Sequence, residues 1–208
     1  MPGPTPKNET EEYNGSSWSE QNNLTTSRAY LAGCGTQTAA LGFGGNVPGS
    51  PSLTGVTEEY NGSSWSEQND LNTVRSNLAG CGTQTAGLAF GGYITTASNA
   101  TEEYNGTAWT TVPGTLNTAR SAMAGAGLQT AAISMLGREP GPNSVATEVY
   151  DGTNWTISTN ATTARRGVGG AGTQTAGLAF GGYTTTGVNN TEEFTGSTLA
   201  GPTASTLT

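Results

Sequence analysis

Histidine does not occur in this chain, lysine occurs once, at Lys7, and charged residues supply only 11% of its 208 positions. Each shortage closes off a class of function. Without histidine the chain lacks the commonest general base near neutral pH and the commonest transition-metal ligand, so no metal site and no cofactor is predicted. Seven basic residues against fifteen acidic ones give a net charge of −8 and an isoelectric point near 4.4. That balance excludes the clustered lysine and arginine that nucleic-acid binding requires. No run approaches the ~18 apolar residues of a membrane-spanning helix, so membrane insertion is not expected. The start, MPGPTPKNET, has no apolar segment of the secretory kind, and a chain of this type working outside a cell would leave by another route, such as release of assembled particles on lysis. Leucine and lysine are too few for a helical domain, while regularly spaced aromatics argue against disorder.

What the chain has in abundance is glycine, 32 residues of it, without the three-residue period of collagen. The glycines belong to a longer repeat. TEEYNGSSWSEQN runs from Thr10 to Asn22 and again, letter for letter, from Thr57 to Asn69. The aromatic of this motif recurs as Tyr13, Tyr60, Tyr104, Tyr150 and Phe194, at intervals of 47, 44, 46 and 44 residues. A tryptophan stands five residues after each tyrosine (Trp18, Trp65, Trp109, Trp155), and Leu199 takes that place in the fifth copy. Then come Arg28, Arg75, Arg120 and Arg165, a small-residue block of the type AGCGTQTA, and an apolar stretch closing on the glycine pairs Gly44-Gly45, Gly91-Gly92 and Gly181-Gly182. The third unit carries the degraded AISMLG instead. A fixed period of this size means stacked supersecondary units.

Local chemistry makes each unit all-β. Asn-Gly between TEEY and SSW is the strongest two-residue hairpin signal, and Asp151-Gly152 replaces it in the fourth copy. GTQTAGLAFGG alternates small and apolar residues with period two, as a half-buried strand does. Four short strands per unit cannot bury both faces alone. Arranged radially they pack face to face, which predicts a β-propeller of four-stranded antiparallel blades. Glycine and alanine of AGCGT suit the crowded innermost strand, and tyrosine and tryptophan the wider outer strands. Residues 1–9 read as a Pro-rich leader, 10–199 as one propeller with units starting near 10, 57, 101, 147 and 191, and 200–208 as a tail. Four blades are predicted, with five as the alternative. The simplest closure pairs the hairpin at 10–22 with the strands at 164–182; otherwise the hairpin at 191–199 completes the last blade and the first hairpin is spare.

The glycine pair, the downstream tyrosine, the tryptophan and the following arginine together resemble the kelch-type repeat, most closely at TEVYDGTNW, residues 147–155. The resemblance covers residues 10 to about 199. It departs in the short spacing between Tyr and Trp, where kelch units usually have more residues. TEEYNGxxW…AGxGTQTAxLAFGG is also similar to repeats in structural and fibre-like proteins of marine bacteriophages, cyanophages above all, which implies a virion location. Copper oxidases of the kelch-type fold need histidine ligands that this chain lacks. YDGTNW is superficially similar to the Asp-box of sialidases, without their cluster of arginines and acids.

Within that frame the tyrosines and tryptophans read as inter-blade core, with sugar stacking as the alternative. The pairs Glu11/Glu12, Glu58/Glu59, Glu102/Glu103 and Glu192/Glu193 occupy adjacent strand positions, which point to opposite faces. One member is expected to meet an arginine or a backbone amide and the other to meet solvent. The arginines are expected to anchor loops through charge-assisted hydrogen bonds. Gln37, Gln84, Gln129 and Gln174 form a set of amides expected to satisfy backbone groups. Cys34 and Cys81 stand where other units have Ala126 and Ala171, which marks small buried groups with free thiols. The segments NVPGSPSLTGV, YITTASNA, REPGPNSVA and YTTTGVNN diverge most between units, as variable loops on a scaffold do. Tyr93, Thr95, Tyr183, Thr185, Asn46 and Asn143 are therefore the expected ligand contacts, a mixture of aromatic and short polar residues suited to recognition. The expected function is non-enzymatic: binding of a cell-surface glycan or receptor, or a structural role among other virion proteins, with homo-oligomerisation as a further option.

Overall fold

A computed structural model of the chain describes residues 5–49 and 52–196; the tail at 200–208, Leu199 and the first four residues of the leader lie outside them. No helix occurs among the described residues, and every strand pairing is antiparallel. β1 (Thr10–Tyr13) and β2 (Trp18–Gln21) pair only with each other. β3 (Ala32–Thr36) and β4 (Ala39–Phe43) follow, then a small two-stranded sheet of β5 (Asn46–Val47) and β6 (Ser52–Leu53). β7 (Thr57–Tyr60) and β8 (Trp65–Gln68) complete blade 1 in the order β3-β4-β7-β8. Blade 2 is β9 (Ala79–Thr83), β10 (Ala86–Phe90), β11 (Thr101–Tyr104) and β12 (Trp109–Val112). Blade 3 repeats it as β13 (Ala124–Leu128), β14 (Ala131–Met135), β15 (Thr147–Tyr150) and β16 (Trp155–Ile157). Blade 4 has β17 (Gly169–Gly172), β18 (Ala176–Phe180) and β19 (Thr191–Thr195). Four small antiparallel sheets thus stand as the four blades of a propeller, with the glycine-rich strands innermost.

The blades pack in series through those inner strands, β3 on β9, β9 on β13 and β13 on β17, with no comparable packing of β17 back on β3 among the described residues. Glycine is needed for this approach. A Cβ on Gly80 would lie 2.4 Å from the Phe43 ring of the preceding blade, and one on Gly125 would lie 2.7 Å from the ring of Phe90. Each gap between blades then holds its own core. Leu41 and Phe43 of blade 1 meet Tyr104 and Trp109 of blade 2, and Leu88 and Phe90 meet Tyr150 and Trp155 of blade 3. Ile133 and Met135 meet Ala179 and Phe194 of blade 4.

Two local expectations need correction. The hairpin at 10–22 does not complete the last blade: Phe180 pairs with Thr191 and Ala176 with Thr195, so the fifth copy of the motif closes blade 4 and the first copy stands apart. The physical reason is loop closure, since β18 and β19 are near neighbours in the chain while β1 is at its far end. The hairpin turn is also displaced by one residue. Asn14 donates its backbone N–H to the Ser17 carbonyl at 3.1 Å, leaving Gly15 (φ +96) and Ser16 at the tip. The Asn14 side-chain oxygen accepts from the N–H groups of Ser16 and Ser17, an Asx turn that relieves asparagine of any left-handed conformation. Asn61, Asn105 and Asp151 repeat it, and these amides hold the Asp151 carboxyl below the usual carboxylate range.

Candidate functional site

The recurring arginines and the first glutamate of each later pair are used up inside each blade. Arg75 lies in the segment before β9 and donates to the carbonyls of Gly91 at 2.7 Å and Ala100 at 2.9 Å, and to Glu102 Oε1 at 2.9 Å. Glu102 in turn accepts from the backbone N–H of Asn72 at 2.7 Å. Arg28–Glu58 and Arg120–Glu148 repeat the arrangement at 3.0 and 2.9 Å, all with fully buried partners, and Arg165 pairs with Glu192. Burial pulls the guanidinium groups of Arg28, Arg75 and Arg120 below their usual value, and the facing carboxylates oppose that pull. The carboxyl of Glu192 is pushed up by burial but pulled down further by Thr162 and Arg165, to about 2. These ion pairs fix the loop before the inner strand to the third strand; the first three are sealed from solvent, and only the Glu192 side chain, 20% exposed, reaches a cavity.

The second glutamate of the first three pairs does not face solvent alone; it reaches the next blade, whereas Glu193 is exposed. The Tyr60 hydroxyl donates to Glu12, that of Tyr104 to Glu59 and that of Tyr150 to Glu103, each at 2.9 Å. Burial and these carboxylates push the phenols of Tyr104 and Tyr150 up. The next pair in the series is Val149 and Phe194, both partly buried in the core between blades 3 and 4. Where the acceptor is lost the donor is lost with it, which avoids a desolvated tyrosine hydroxyl without a partner. Tryptophan follows the same rule: Nε1 of Trp65, Trp109 and Trp155 donates to the hydroxyls of Thr10, Thr57 and Thr101 of the preceding unit, each at 2.9 Å. Gln37, Gln84, Gln129 and Gln174 donate to the carbonyls of Tyr13, Tyr60, Tyr104 and Tyr150, again one unit back. A backbone row completes the set, with Asn77 N–H donating to Tyr30, Ala122 to Asn77 and Gly167 to Ala122. Tyr30, Asn77 and Ala122 take positive φ to do so.

The two thiols belong to these gaps as well. Cys34 and Cys81 are free, and burial pushes both up to about 12.

The loops predicted to bind lie at one end of the blades. Asn46, Tyr93, Arg138 and Tyr183 occupy equivalent positions, each bridging back to Ala29, Ser76, Ser121 or Arg166. Tyr93 and Tyr183 are 44% and 42% exposed, at the base of two tight loops that hold Thr95 and Thr185 at exposed tips. Asn143 is brought against Tyr183: its side-chain amide donates to the Tyr183 and Thr184 carbonyls at 3.1 and 3.2 Å. Arg166 donates to the Asn143 oxygen at 2.8 Å and stacks on the Tyr183 ring, 4.8 Å from its centroid. Asn46 is half-buried in its own small sheet, and Tyr93 sits two units from Tyr183, so the six residues form one cluster and separate outliers rather than one pocket. Sequence reasoning passed over Arg166, Arg138 and the exposed Tyr30; the clue was the 45-residue spacing from Tyr93 through Arg138 to Tyr183.

Cavities of about 280 and 610 Å³ flank β19, the first lined by Met135, Ala161, Glu192 and Phe194, the second by Val149, Ile157, Gln174 and Phe194. In blades 2 and 3 a tryptophan fills the space corresponding to the first, Trp109 on Phe43 and Trp155 on Phe90. Set beside known proteins, the chain matches no protein-family model and no curated protein.

Proposed function

We propose that the chain is a non-enzymatic binding module whose loop face engages a cell-surface glycan or receptor. The observation that carries this reading is the division of labour between scaffold and loops. The once-per-unit Arg and Gln, the tryptophans Trp65, Trp109 and Trp155, and the glutamates from Glu58 to Glu148 are engaged in hydrogen bonds within or between blades, whereas Tyr93, Tyr183, Thr95 and Thr185 stay exposed at one end. Exposed tyrosine beside Arg166, with Asn143 holding the two loops together, offers a ring face and a cation, the chemistry of a polyhydroxylated or anionic glycan. The likeness of the repeats to those of structural and fibre-like proteins of marine phages supports a place on a virion.

The test is binding of the labelled chain to a glycan panel and to intact candidate host cells. Saturable binding that is lost in Tyr93→Ala/Tyr183→Ala, with the fold intact by circular dichroism, supports the module. A well-folded chain that binds nothing overturns it in favour of a structural spacer. One observation favours that second reading, the faces at the two ends of the array that nothing covers among the described residues, with Trp18 66% and Phe180 43% exposed.

A further inference from the structure

One recurring set of contacts between successive blades has a direction, although others, such as the Gly45 N–H donated to the Arg75 carbonyl, run the opposite way. In that set the later unit supplies donors, namely the tyrosine hydroxyl, tryptophan Nε1, glutamine Nε2 and the backbone N–H of Asn77, Ala122 and Gly167. The earlier unit supplies the acceptors and the phenylalanine on which the tryptophan rests, as Trp109 rests on Phe43 with centroids 4.8 Å apart. Blade 4 carries the acceptor set with nothing on it among the described residues. Phe180 is 43% exposed, where its equivalents Phe43 and Phe90 are at 0%. Glu193 and Thr191 are exposed, whereas Thr57 and Thr101 in the same role are buried. The leading hairpin β1-β2 carries the matching donors at the other end of the array: Trp18 is 66% exposed and Tyr13 47%, against 5% and 0% for Trp109 and Tyr104.

We propose that the chain associates head to tail with a second copy of itself, the leading hairpin of one copy seating on blade 4 of the next as the outer half of a further blade. In that seat the Tyr13 hydroxyl donates to Glu193, Trp18 Nε1 donates to the Thr191 hydroxyl, and the indole covers Phe180. The occupant is identified by the chain's own sequence. TEEYNGSSWSEQN at 57–69 already makes the first two of these contacts on the hairpin before it, Tyr60 to Glu12 and Trp65 to Thr10, and residues 10–22 are the same thirteen letters. Threefold use of these tyrosine and tryptophan contacts inside the chain is continued by a fourth between chains. The hairpin brings outer strands only, so the contact is smaller than a full inter-blade one and association depends on concentration. Because head and tail are different surfaces, the contact is heterologous and extends unless the rotation closes it. This inference concerns the ends of the array and is independent of the loop face.

Sedimentation velocity on the full chain across a concentration series tests it. Wild type is expected to shift from monomer to larger species as concentration rises. Trp18→Ala, a head lesion, and Phe180→Glu, a tail lesion, are each expected to weaken association by about tenfold or more. Glu193→Ala serves as a second tail lesion at an exposed position should Phe180→Glu unfold blade 4. The decisive sample is the equimolar mixture of head and tail variants, in which one intact tail meets one intact head: association returns and stops at the dimer. A wild type that stays monomeric throughout overturns the proposal, as do variants that associate like wild type or a mixture that gains nothing. A constant monomer mass with a lower Tm in Trp18→Ala would instead mean that head and tail meet within one chain, and would equally overturn it.

Discussion

GTQTAGLAFGGY occurs at 82–93 and at 172–183, the same twelve residues in two places. In blade 2 its Leu88 and Phe90 are wholly buried; in blade 4 Leu178 is half-buried and Phe180 is 43% exposed. TEEYNGSSWSEQN teaches the same lesson at the other end, with Trp18 66% exposed and its copy Trp65 only partly so. Identical sequence forms identical strands, but burial comes from the neighbouring blade. Interior units are stabilised from both sides, and end units from one.

That contrast can be broken most forcefully at the ion pairs. Arg75→Ala leaves Glu102 buried without its partner and is expected to lower stability by about 3–5 kcal/mol, measured by urea unfolding. Arg165→Ala should lose less, because the Glu192 side chain is 20% exposed whereas that of Glu102 is at 0%. The tryptophans give a second contrast. Trp109→Ala empties the gap over Phe43 and is expected to lose about 3–5 kcal/mol, whereas Trp18→Ala, measured on dilute monomer, should stay within about 0.5 kcal/mol. Similar losses at both positions would refute the assignment of interior and end.

A smaller effect sharpens the comparison between gaps. Tyr104→Phe strips Glu59 of its donor and should cost about 1–3 kcal/mol. Adding Glu59→Val rebuilds the pairing that Val149 and Phe194 already form, and the double variant should recover much of the loss. A double-mutant cycle showing simple additivity would contradict the coupling. The smallest effect is confined to blade 4. Glu192 has a folded-state pKa of about 2 against an ordinary 4.5, so its contribution is fully present above about 4.5 and is lost as pH falls towards about 2. Amide exchange in blade 4 should therefore accelerate over that window in wild type and less so in Glu192→Gln.

Much of this was readable before any coordinates. The period of the aromatics gave the unit, small residues marked the inner strand, and the recurring arginines announced loop anchors. The interchange of Cys34 and Cys81 with Ala126 and Ala171 marked small buried groups, which holds for Cys81 and Ala126, while Cys34 is partly buried and Ala171 is exposed. The pairing of Val149 with Phe194 was visible too, as two departures from TEEY in adjacent copies, but its meaning needed the knowledge that the second glutamate of one unit touches the tyrosine of the next. The hairpin turn was misplaced by one residue because asparagine signals a left-handed turn and an Asx turn with equal strength, and only the hydrogen bonds distinguish them. The six loop residues were placed on one end of the blades, yet Asn46 is drawn into a small sheet and only Asn143 and Tyr183 meet.

Strand identity and the order of the units follow from the sequence alone, because the strands are dictated by turn residues and period-two alternation and the units succeed one another along the chain. Which hairpin completes which blade, and which copies of an identical motif are buried, was decided only in the tertiary structure. Those properties depend on the surface that a neighbouring unit presents, and a repeated sequence carries no mark of whether a neighbour is there.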